Sequence, residues 1–273
     1  MSANLLGTDV EEVLGRVLDG NPDCLYVVNP SAAVLEELIY ATVEAGESGP
    51  EIRILGEEDT LKAVMEDFLV ASKTADLVEA ERVAIRSVPE NGRTAMLLTE
   101  DRVTALIEAG GAVGGLSTDD DEFTEAVIDA VEAEWEGATS FQLRTPALSR
   151  ITETLEMDLE STVREDFESL LAALETAKGN GAGIDEVTIS LLVAAKNNVL
   201  LYDISKWGED VGIASKATFS RTKTKLEDKG LIDTEKVPID VGRPRLRLKL
   251  QDERLRGADP AEMAEIASKA LAN

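Results

Sequence analysis

The sequence predicts two unlike globular parts, an α/β domain over the first half of the chain and an α+β domain near its end, with one long helix between them. Three observations support this division. Apolar strand-like runs alternate with amphipathic helical segments over residues 1–146. Residues 147–178 contain neither Gly nor Pro, the residues that most often end helices. Beyond them, three helical segments are followed by two strand-like runs.

The first domain is predicted over residues 1–146. Amphipathic helices and short apolar strands alternate at its start, at 9–20, 24–28, 31–45, 52–55 and 60–71. Ser31 is placed to cap the second of these helices. Four more strand-like runs and a closing helix follow, at 83–88, 94–99, 102–108, 112–118 and 121–135. Crossover helices followed by a series of strands predict one mixed α/β sheet domain.

The segment 147–181 is predicted to be one long amphipathic helix. Its apolar residues recur at steps of three or four and form a single stripe, which consists of Leu148, Ile151, Leu155, Leu159, Val163, Phe167, Leu170 and Leu174. A helix of about 30 residues is about 45 Å long. Such a stripe packs either on its own domain or on a second copy of the chain. Because the helix stands alone between two domains, we favour the second interpretation and predict a homodimer.

The C-terminal domain is predicted over residues 182–256, after the glycine-rich break at 179–183. Three helical segments precede two strands, at 185–193, 204–213, 215–230, 232–237 and 245–250. Ser215 can cap the third helix, and Gly230 suits the left-handed position that follows a helix. In the last strand leucines alternate with basic residues. Three helices and a basic hairpin predict a winged helix-turn-helix, with a further helix in 257–273.

The composition excludes several kinds of active site. The 273 residues include 54 Asp and Glu, 27 Lys and Arg, one Cys and no His. Without His, neither a Ser-His-Asp nor a Cys-His nucleophile can form, and neither can a His-ligated metal site. With Cys24 alone there is no disulfide framework and no CxxC metal or redox site. We therefore predict that the chain is not an enzyme and needs no metal or cofactor.

The formal net charge of −27 opposes binding to the phosphate backbone of nucleic acid. This acidity has two interpretations, a function in mimicking or avoiding DNA and an adaptation to molar intracellular salt. Lysine usage favours salt adaptation, because only Lys62, Lys73 and Lys178 occur in the first 180 residues. At about 1 M salt the Debye length is about 3 Å. Net charge then no longer acts at long range, and the positions of the few cations decide what the chain can bind.

The cations are concentrated in the predicted winged domain. Residues 214–249 contain ten basic and five acidic side chains, a net charge of +5, whereas the other 237 residues carry −32. Phe219 and Leu226 lie seven residues apart, so they share the buried face of the third helix. An Arg at the tip of the wing can enter the minor groove of DNA. The predicted DNA-binding residues are Ser215, Lys216, Ser220, Arg221, Lys223, Thr224, Arg243, Arg245 and Arg247.

Two segments resemble those of known regulators. TFSRTKTKLEDKGLI (218–232) and VGRPRLRLKL (241–250) are similar to the recognition helix and the wing of winged helix-turn-helix transcription regulators of archaea and bacteria. The chain departs from that family at Lys223, where an aliphatic residue is usual, so packing there must rely on its neighbours Phe219, Thr222 and Leu226. The resemblance implies a transcription factor that binds double-stranded promoter DNA.

The segment 94–139 resembles the closing strands and helix of sensor domains in the TrmB class of archaeal regulators. Those domains are similar to phospholipase-D-like folds that have lost catalysis, which agrees with the absence of His. TrmB proteins carry the DNA-binding domain first, whereas this chain is predicted to carry it last. Over its whole length the chain resembles a haloarchaeal family of TrmB-suppressor regulators. That resemblance implies control of sugar and gluconeogenic genes, with a small-metabolite effector for the first domain.

Other interpretations are weaker. The winged domain could serve as an interaction adaptor that binds another protein without contacting DNA, although a basic third helix argues against this. The acidic run 119–122 could be a cation site, but acidic runs are common in this chain. The GGAVGG stretch at 110–115 lacks the Lys and Ser or Thr of a phosphate loop and is better interpreted as a hairpin turn. No apolar stretch reaches the roughly 18 residues of a membrane span, and we expect a cytoplasmic protein.

Overall fold

The structure, a computed structural model of the chain, describes residues 5–7, 10–18, 22–46, 49–89, 92–110, 112–178, 183–238 and 244–272. The chain divides into two compact units. The first consists of Met1–Met65 and Lys73–Leu143, and the second of Glu66–Ser72 and Arg144–Asn273. The first unit is α/β and the second combines helices with a small hairpin, so the predicted fold class is confirmed.

The first unit is built on an eight-stranded mixed sheet. Its strands are β1 (Leu5–Gly7), β2 (Cys24–Val28), β3 (Glu51–Glu57), β4 (Val83–Val88), β5 (Met96–Thr99), β6 (Arg102–Ala109), β7 (Ala112–Thr118) and β8 (Thr139–Ser140). Its helices are α1 (Val10–Leu18), α2 (Ala32–Glu44), α3 (Glu58–Val64), α4 (Phe68–Glu79) and α5 (Asp121–Gly137). The first residues of α4 belong to the second unit.

The strand order is β1-β7-β6-β5-β2-β3-β4-β8. Strands β2, β3 and β4 run parallel, because a helical crossover separates each from the next. The other neighbours pair antiparallel. Strands β6 and β7 form a hairpin in which Ala109 pairs with Ala112 and Gly110 has a φ of +62°. Of the stretch 110–115, which the sequence predicts to be a hairpin turn, Gly110 lies at the turn, whereas 112–115 belong to β7.

Helix α5 covers one face of the sheet. Tyr26, Val28, Leu98 and Val103 form a buried cluster with Val131 of this helix. On the strands, successive side chains point to opposite faces. The intervening residues of β2 are also buried, so both faces of the central strands contribute to the core.

The predicted helix at 60–71 is wrong in its extent, since α3 and α4 occupy this region as two separate helices. The boundary lies at Asp67, whose Oδ1 accepts a hydrogen bond from Leu69 N at 3.0 Å and so caps α4. The apolar periodicity continues through this point and does not show the break. Strands β1 and β8 are only three and two residues long, and no sequence pattern indicates them.

The second unit is mainly helical. Besides the start of α4, it contains α6 (Leu148–Asp158), α7 (Ser161–Ala172), α8 (Glu186–Lys196), α9 (Leu201–Val211), α10 (Lys216–Asp228), β9 (Ile232–Val237), β10 (Arg245–Leu250) and α11 (Pro260–Ala272). A single core unites these helices with the hairpin. Met263, Ala267 and Leu271 place α11 in that core, where it packs on α7.

The prediction of one long helix over 147–181 is wrong. The chain leaves helical geometry at Leu159, which has φ −120° and ψ −100°, and resumes it at Ser161. Helices α6 and α7 pack against each other, and the apolar stripe is buried in the core of their own unit, with Ile151 and Phe167 both 0% exposed. Folding back lets both halves of the stripe reach one core. The stripe is therefore not an open dimerisation surface.

Candidate nucleic-acid interface

Helix α10 is anchored by two side chains that are fully buried. Phe219 and Leu226 are each 0% exposed, as their shared helix face predicts. The ring of Phe219 lies against Gly208 of α9, where a Cβ atom would come within 2.3 Å of the ring atoms Cε2 and Cζ. The adjacent Trp207 is also buried and donates its Nε1–H to Thr154 Oγ1 at 2.9 Å. This close contact between α9 and α10 fixes which face of α10 turns outward.

The outer face of α10 carries one guanidinium and several hydroxyl groups. Ser215 caps the helix, because its Oγ accepts a hydrogen bond from Thr218 N at 3.2 Å. Ser220, Arg221 and Thr224 are exposed, as predicted. Arg221 donates to Thr218 Oγ1 at 3.2 Å, which holds its side chain over the first turns of the helix. These are the donor and acceptor types that recognise base edges in the major groove.

Both predicted lysines of α10 are in ion pairs. Lys216 Nζ lies 2.6 Å from Glu209 Oε2 of α9, and the lysine side chain is 44% exposed. Lys223 Nζ lies 2.6 Å from Glu227 Oε2, but its side chain is only 13% exposed. The expected outward position of Lys223 is therefore wrong. Because Lys223 stands where an aliphatic residue is usual, its stem packs inward, and Thr234 Oγ1 of β9 donates to Glu227 beside it at 3.1 Å.

The predicted alternation of the wing is present only at the end of its second strand. Strands β9 and β10 pair antiparallel, and Leu248 and Leu250 of β10 are buried while Lys249 between them is exposed. The three residues before them, 245–247, are all half-buried. The segment before α9 extends this hairpin, since Leu200 forms a β-bridge with Arg247 and Leu248 N donates to Val199 O at 3.0 Å. The wing is thereby tied to the start of α9.

Arg245 and Arg247 lie on the basic side of β10, whereas Arg243 lies outside the described residues. Arg245 stacks on Tyr202, with 4.6 Å from its Cζ to the ring centroid, and its Nη1 lies 3.6 Å from Asp203 Oδ1. Sequence reasoning missed Tyr202, a residue that is 47% exposed and lies in the first turn of α9. The sequence feature that could have indicated Tyr202 is an aromatic residue at the start of a helix, in a chain with only three Tyr.

Carboxylates neutralise many of the cations on this surface. Hydrogen bonds from Lys216 and Lys249 hold the pKa values of Glu209 and Glu235 below their usual range, so both acids stay ionised. Within the described residues, Arg221, Lys229, Lys236 and Arg247 have no carboxylate oxygen within 4.0 Å.

The first unit carries an open groove of about 520 Å³ beside β4 and β8. Its lining includes the rings of Trp135 and Phe141 and the polar side chains of Arg86, Glu81 and Ser140. The Arg86 guanidinium lies 4.7 Å from the centroid of the Trp135 ring and donates to the carbonyl oxygens at the end of α5. An aromatic platform next to charged and hydroxyl groups suits a small polar ligand.

The remaining sequence features have structural roles. Asp120, in the acidic run 119–122, caps α5 by accepting from Phe123 N at 3.0 Å. Cys24 is half-buried, and burial raises the pKa of its thiol.

Across the part of the chain that the structure describes, no three His, Cys, Asp or Glu side chains form a metal-binding group. No helix in the described ranges combines the length and apolarity that crossing a membrane requires.

The second unit, with its buried α8–α9–α10 core and its paired wing, defines a winged helix-turn-helix protein. The chain belongs to the TbsP-like family of transcriptional regulators. The family's N-terminal region, "Transcriptional regulator TbsP-like, N-terminal", matches residues 2–146, and its "C-terminal HTH domain" matches residues 147–268. The family is one of regulators and not of enzymes.

Among solved structures, a similar chain is that of TrmBL2, described as an archaeal chromatin protein with a novel mode of DNA binding. The two chains share 14% identity with a TM-score of 0.40. The match covers 51% of this chain and 54% of that one, so this chain spans about half the length of TrmBL2. No curated protein matches the chain.

Proposed function

We propose that the chain regulates transcription by binding double-stranded DNA through α10 and the wing. The observation that carries this proposal is the outer face of α10, where Ser220, Arg221 and Thr224 are exposed on a helix anchored by Phe219. The N-terminal half of such a helix enters the major groove, and Arg is the side chain that most often recognises guanine there. Arg245, Arg247 and the predicted wing-tip Arg243 would contact the flanking backbone or minor groove.

Replacing Arg221 by alanine is expected to weaken promoter binding about 10- to 100-fold, since a bidentate contact to a base contributes about 1–3 kcal/mol. The measurement is fluorescence anisotropy of a labelled promoter duplex in molar KCl. Arg150→Ala is the matched control, because Arg150 is an exposed arginine on α6, outside the proposed interface. Equal affinities of the Arg221→Ala and Arg150→Ala variants would remove Arg221 from the interface.

The same assay separates DNA binding from the adaptor alternative. A protein-interaction adaptor would give no anisotropy change with any genomic duplex at any KCl concentration. The proposal expects saturable binding that specific competitor DNA removes. Chromatin immunoprecipitation would then identify the bound promoters, which the family resemblance suggests belong to sugar and gluconeogenic genes.

A homodimer on a pseudo-palindromic site also stays a prediction. The apolar stripe on which this prediction was based is buried within one chain and does not support it.

We further propose that the first unit binds a polyhydroxylated metabolite in the groove beside β4 and β8. The ring of Trp135 offers a stacking surface, and the carboxylate of Glu81 and the guanidinium of Arg86 offer hydrogen bonds to hydroxyl groups. Hydrogen bonds to charged groups are the stronger ones, so Glu81 is expected to contribute measurably to affinity.

The Glu81→Gln variant is expected to bind its ligand about 10-fold more weakly, because a charged acceptor becomes a neutral one. Glucose and glucose 6-phosphate serve as the two probes in isothermal titration calorimetry. Glu79→Gln is the control, because Glu79 is exposed nearby at the end of α4 but does not line the groove. If neither probe gives saturable heat with the wild-type chain, sugars are not the ligand class of this groove.

A further inference from the structure

The predicted DNA-binding surface is also a row of ion pairs. Lys216 with Glu209 and Lys249 with Glu235 have N–O distances of 2.6 and 2.5 Å, and Arg245 with Asp203 is at 3.6 Å. These pairs join α9, α10 and the two wing strands. A phosphate that approached any of these cations would meet its carboxylate partner at nearly the same distance.

Two of the acids are placed to contact DNA themselves. The side chains of Glu209 and Glu235 are 43% and 51% exposed, on α9 beside the start of α10 and on β9 of the wing. Glu227 differs from them, because its side chain is 26% exposed and is held inward by Lys223 and Thr234. Asp203 is 38% exposed, so Glu209 and Glu235 are the two most exposed acids among the ion pairs of this surface.

The charges of the whole chain set the direction of the salt effect. An ordinary DNA-binding protein loses affinity as salt rises, because neutralising each phosphate releases counterions. Here the interface segment carries +5 and the rest of the chain −32. At about 0.1 M salt the Debye length is about 10 Å, so acids across and around the interface repel the phosphates. At about 1 M it is about 3 Å, and mainly contacts within the interface remain.

We infer that Glu209 and Glu235 act as salt-dependent antagonists of DNA binding, so that affinity for DNA increases as KCl concentration rises. At low salt each carboxylate holds its lysine and repels the phosphate. At high salt both effects are screened, and the short-range hydrogen bonds of Arg221 and the released lysines bind DNA. This inference depends on the proposed DNA-binding function and adds the residues that determine its salt range.

The fold does not depend on these pairs. Exposed ion pairs contribute little to stability, so replacing either acid by glutamine leaves the unit folded. In a Trp135→Phe background, the fluorescence of Trp207, which is buried in the core of the same unit, reports on whether that unit is folded. Any change in DNA binding of the variants is then attributable to the surface charge.

The test is an anisotropy titration of labelled promoter duplex at KCl concentrations from about 0.2 to about 3 M. Over about this range, screening of the charges on protein and DNA becomes complete. The wild-type chain is expected to bind more tightly as KCl rises. The Glu209→Gln/Glu235→Gln double variant is expected to bind about 10-fold more tightly than wild type at the lowest KCl. The slope of log affinity against log salt is expected to be more negative for this double variant than for wild type, by about 0.9 for each phosphate that the two acids no longer repel.

A matched double variant controls for net charge. Glu153→Gln/Glu165→Gln removes two exposed acids from α6 and α7, outside the interface, and changes the net charge by the same amount. If both double variants shift the salt profile equally, or if wild-type affinity falls with KCl, the inference is overturned while DNA binding stands. If no variant binds DNA at any KCl concentration, the proposed function fails, and the inference fails with it.

Discussion

Replacing Asp67 by alanine is expected to lower the free energy of unfolding of the second unit by about 3–5 kcal/mol. Asp67 is 4% exposed, and its carboxylate accepts three hydrogen bonds. Its Oδ1 accepts from Leu69 N at 3.0 Å and from Ala177 N at 3.1 Å, and its Oδ2 accepts from Thr176 Oγ1 at 2.5 Å. Alanine would leave buried donors without a partner, and each such donor costs about 1–3 kcal/mol.

Asp67 joins two distant parts of the sequence. Its bonds to 176 and 177 are supported by Phe68 N, which donates to Ala177 O at 3.1 Å. Phe68, Leu69 and Ala177 all belong to the core of the second unit. Losing the carboxylate therefore loosens the cap of α4 and the attachment of the segment that follows α7 at once.

The measurement is denaturant unfolding followed by the fluorescence of Trp207. The chain has two tryptophans, one in each unit, so a Trp135→Phe background makes the signal specific for the second unit. Glu66→Ala is the control, because Glu66 is the exposed neighbour of Asp67 and should change stability by less than about 0.5 kcal/mol. Asp67→Asn should be intermediate, since one oxygen acceptor remains. A loss for Asp67→Ala no larger than for Glu66→Ala would contradict the structural role.

Local patterns in the sequence were sufficient to predict most helices and strands. The boundaries that they did not predict depend on long-range contacts. Ser31 and Ser215 are predicted caps, and each accepts the expected backbone hydrogen bond. The boundary at Asp67 depends instead on a partner 110 residues away, which no local pattern reveals. The break at Leu159 likewise depends on the core that α6 and α7 share, because a stripe of apolar residues is compatible with both a straight and a folded-back helix.

In the candidate interface too, some positions follow from local sequence patterns and others depend on contacts between distant residues. Residues on the outer face of α10 follow from the positions of Phe219 and Leu226 alone, since helix geometry then fixes the opposite side. The inward position of Lys223 could not be derived in this way, because it requires an acceptor on Glu227 that is itself held by the wing. The ion pairs that cover the surface join separate elements, so clustering of cations in the sequence overstates the positive charge that DNA would meet.

Replacing Gly208 by alanine is expected to destabilise the second unit by about 1–3 kcal/mol and to weaken DNA binding more than 100-fold, about the loss of two or more base contacts. In a helix interior, alanine is normally favoured over glycine by about 1 kcal/mol. Here the new Cβ would lie 2.3 Å from the ring of Phe219, which is fully buried. The ring must shift, and α10 must shift with it.

A matched glycine and a compensating change make this prediction decisive. In Gly15→Ala of α1, no atom beyond the neighbouring residues and backbone of the same helix lies within 4 Å of the new Cβ, so this change should stabilise the first unit by about 0.5–1 kcal/mol. Phe219→Leu removes the opposing ring, and the Gly208→Ala/Phe219→Leu double variant should lose less stability than the two single changes added together. Chemical denaturation and DNA anisotropy measure the two effects separately. Additive losses would mean that the contact between Gly208 and Phe219 does not position α10.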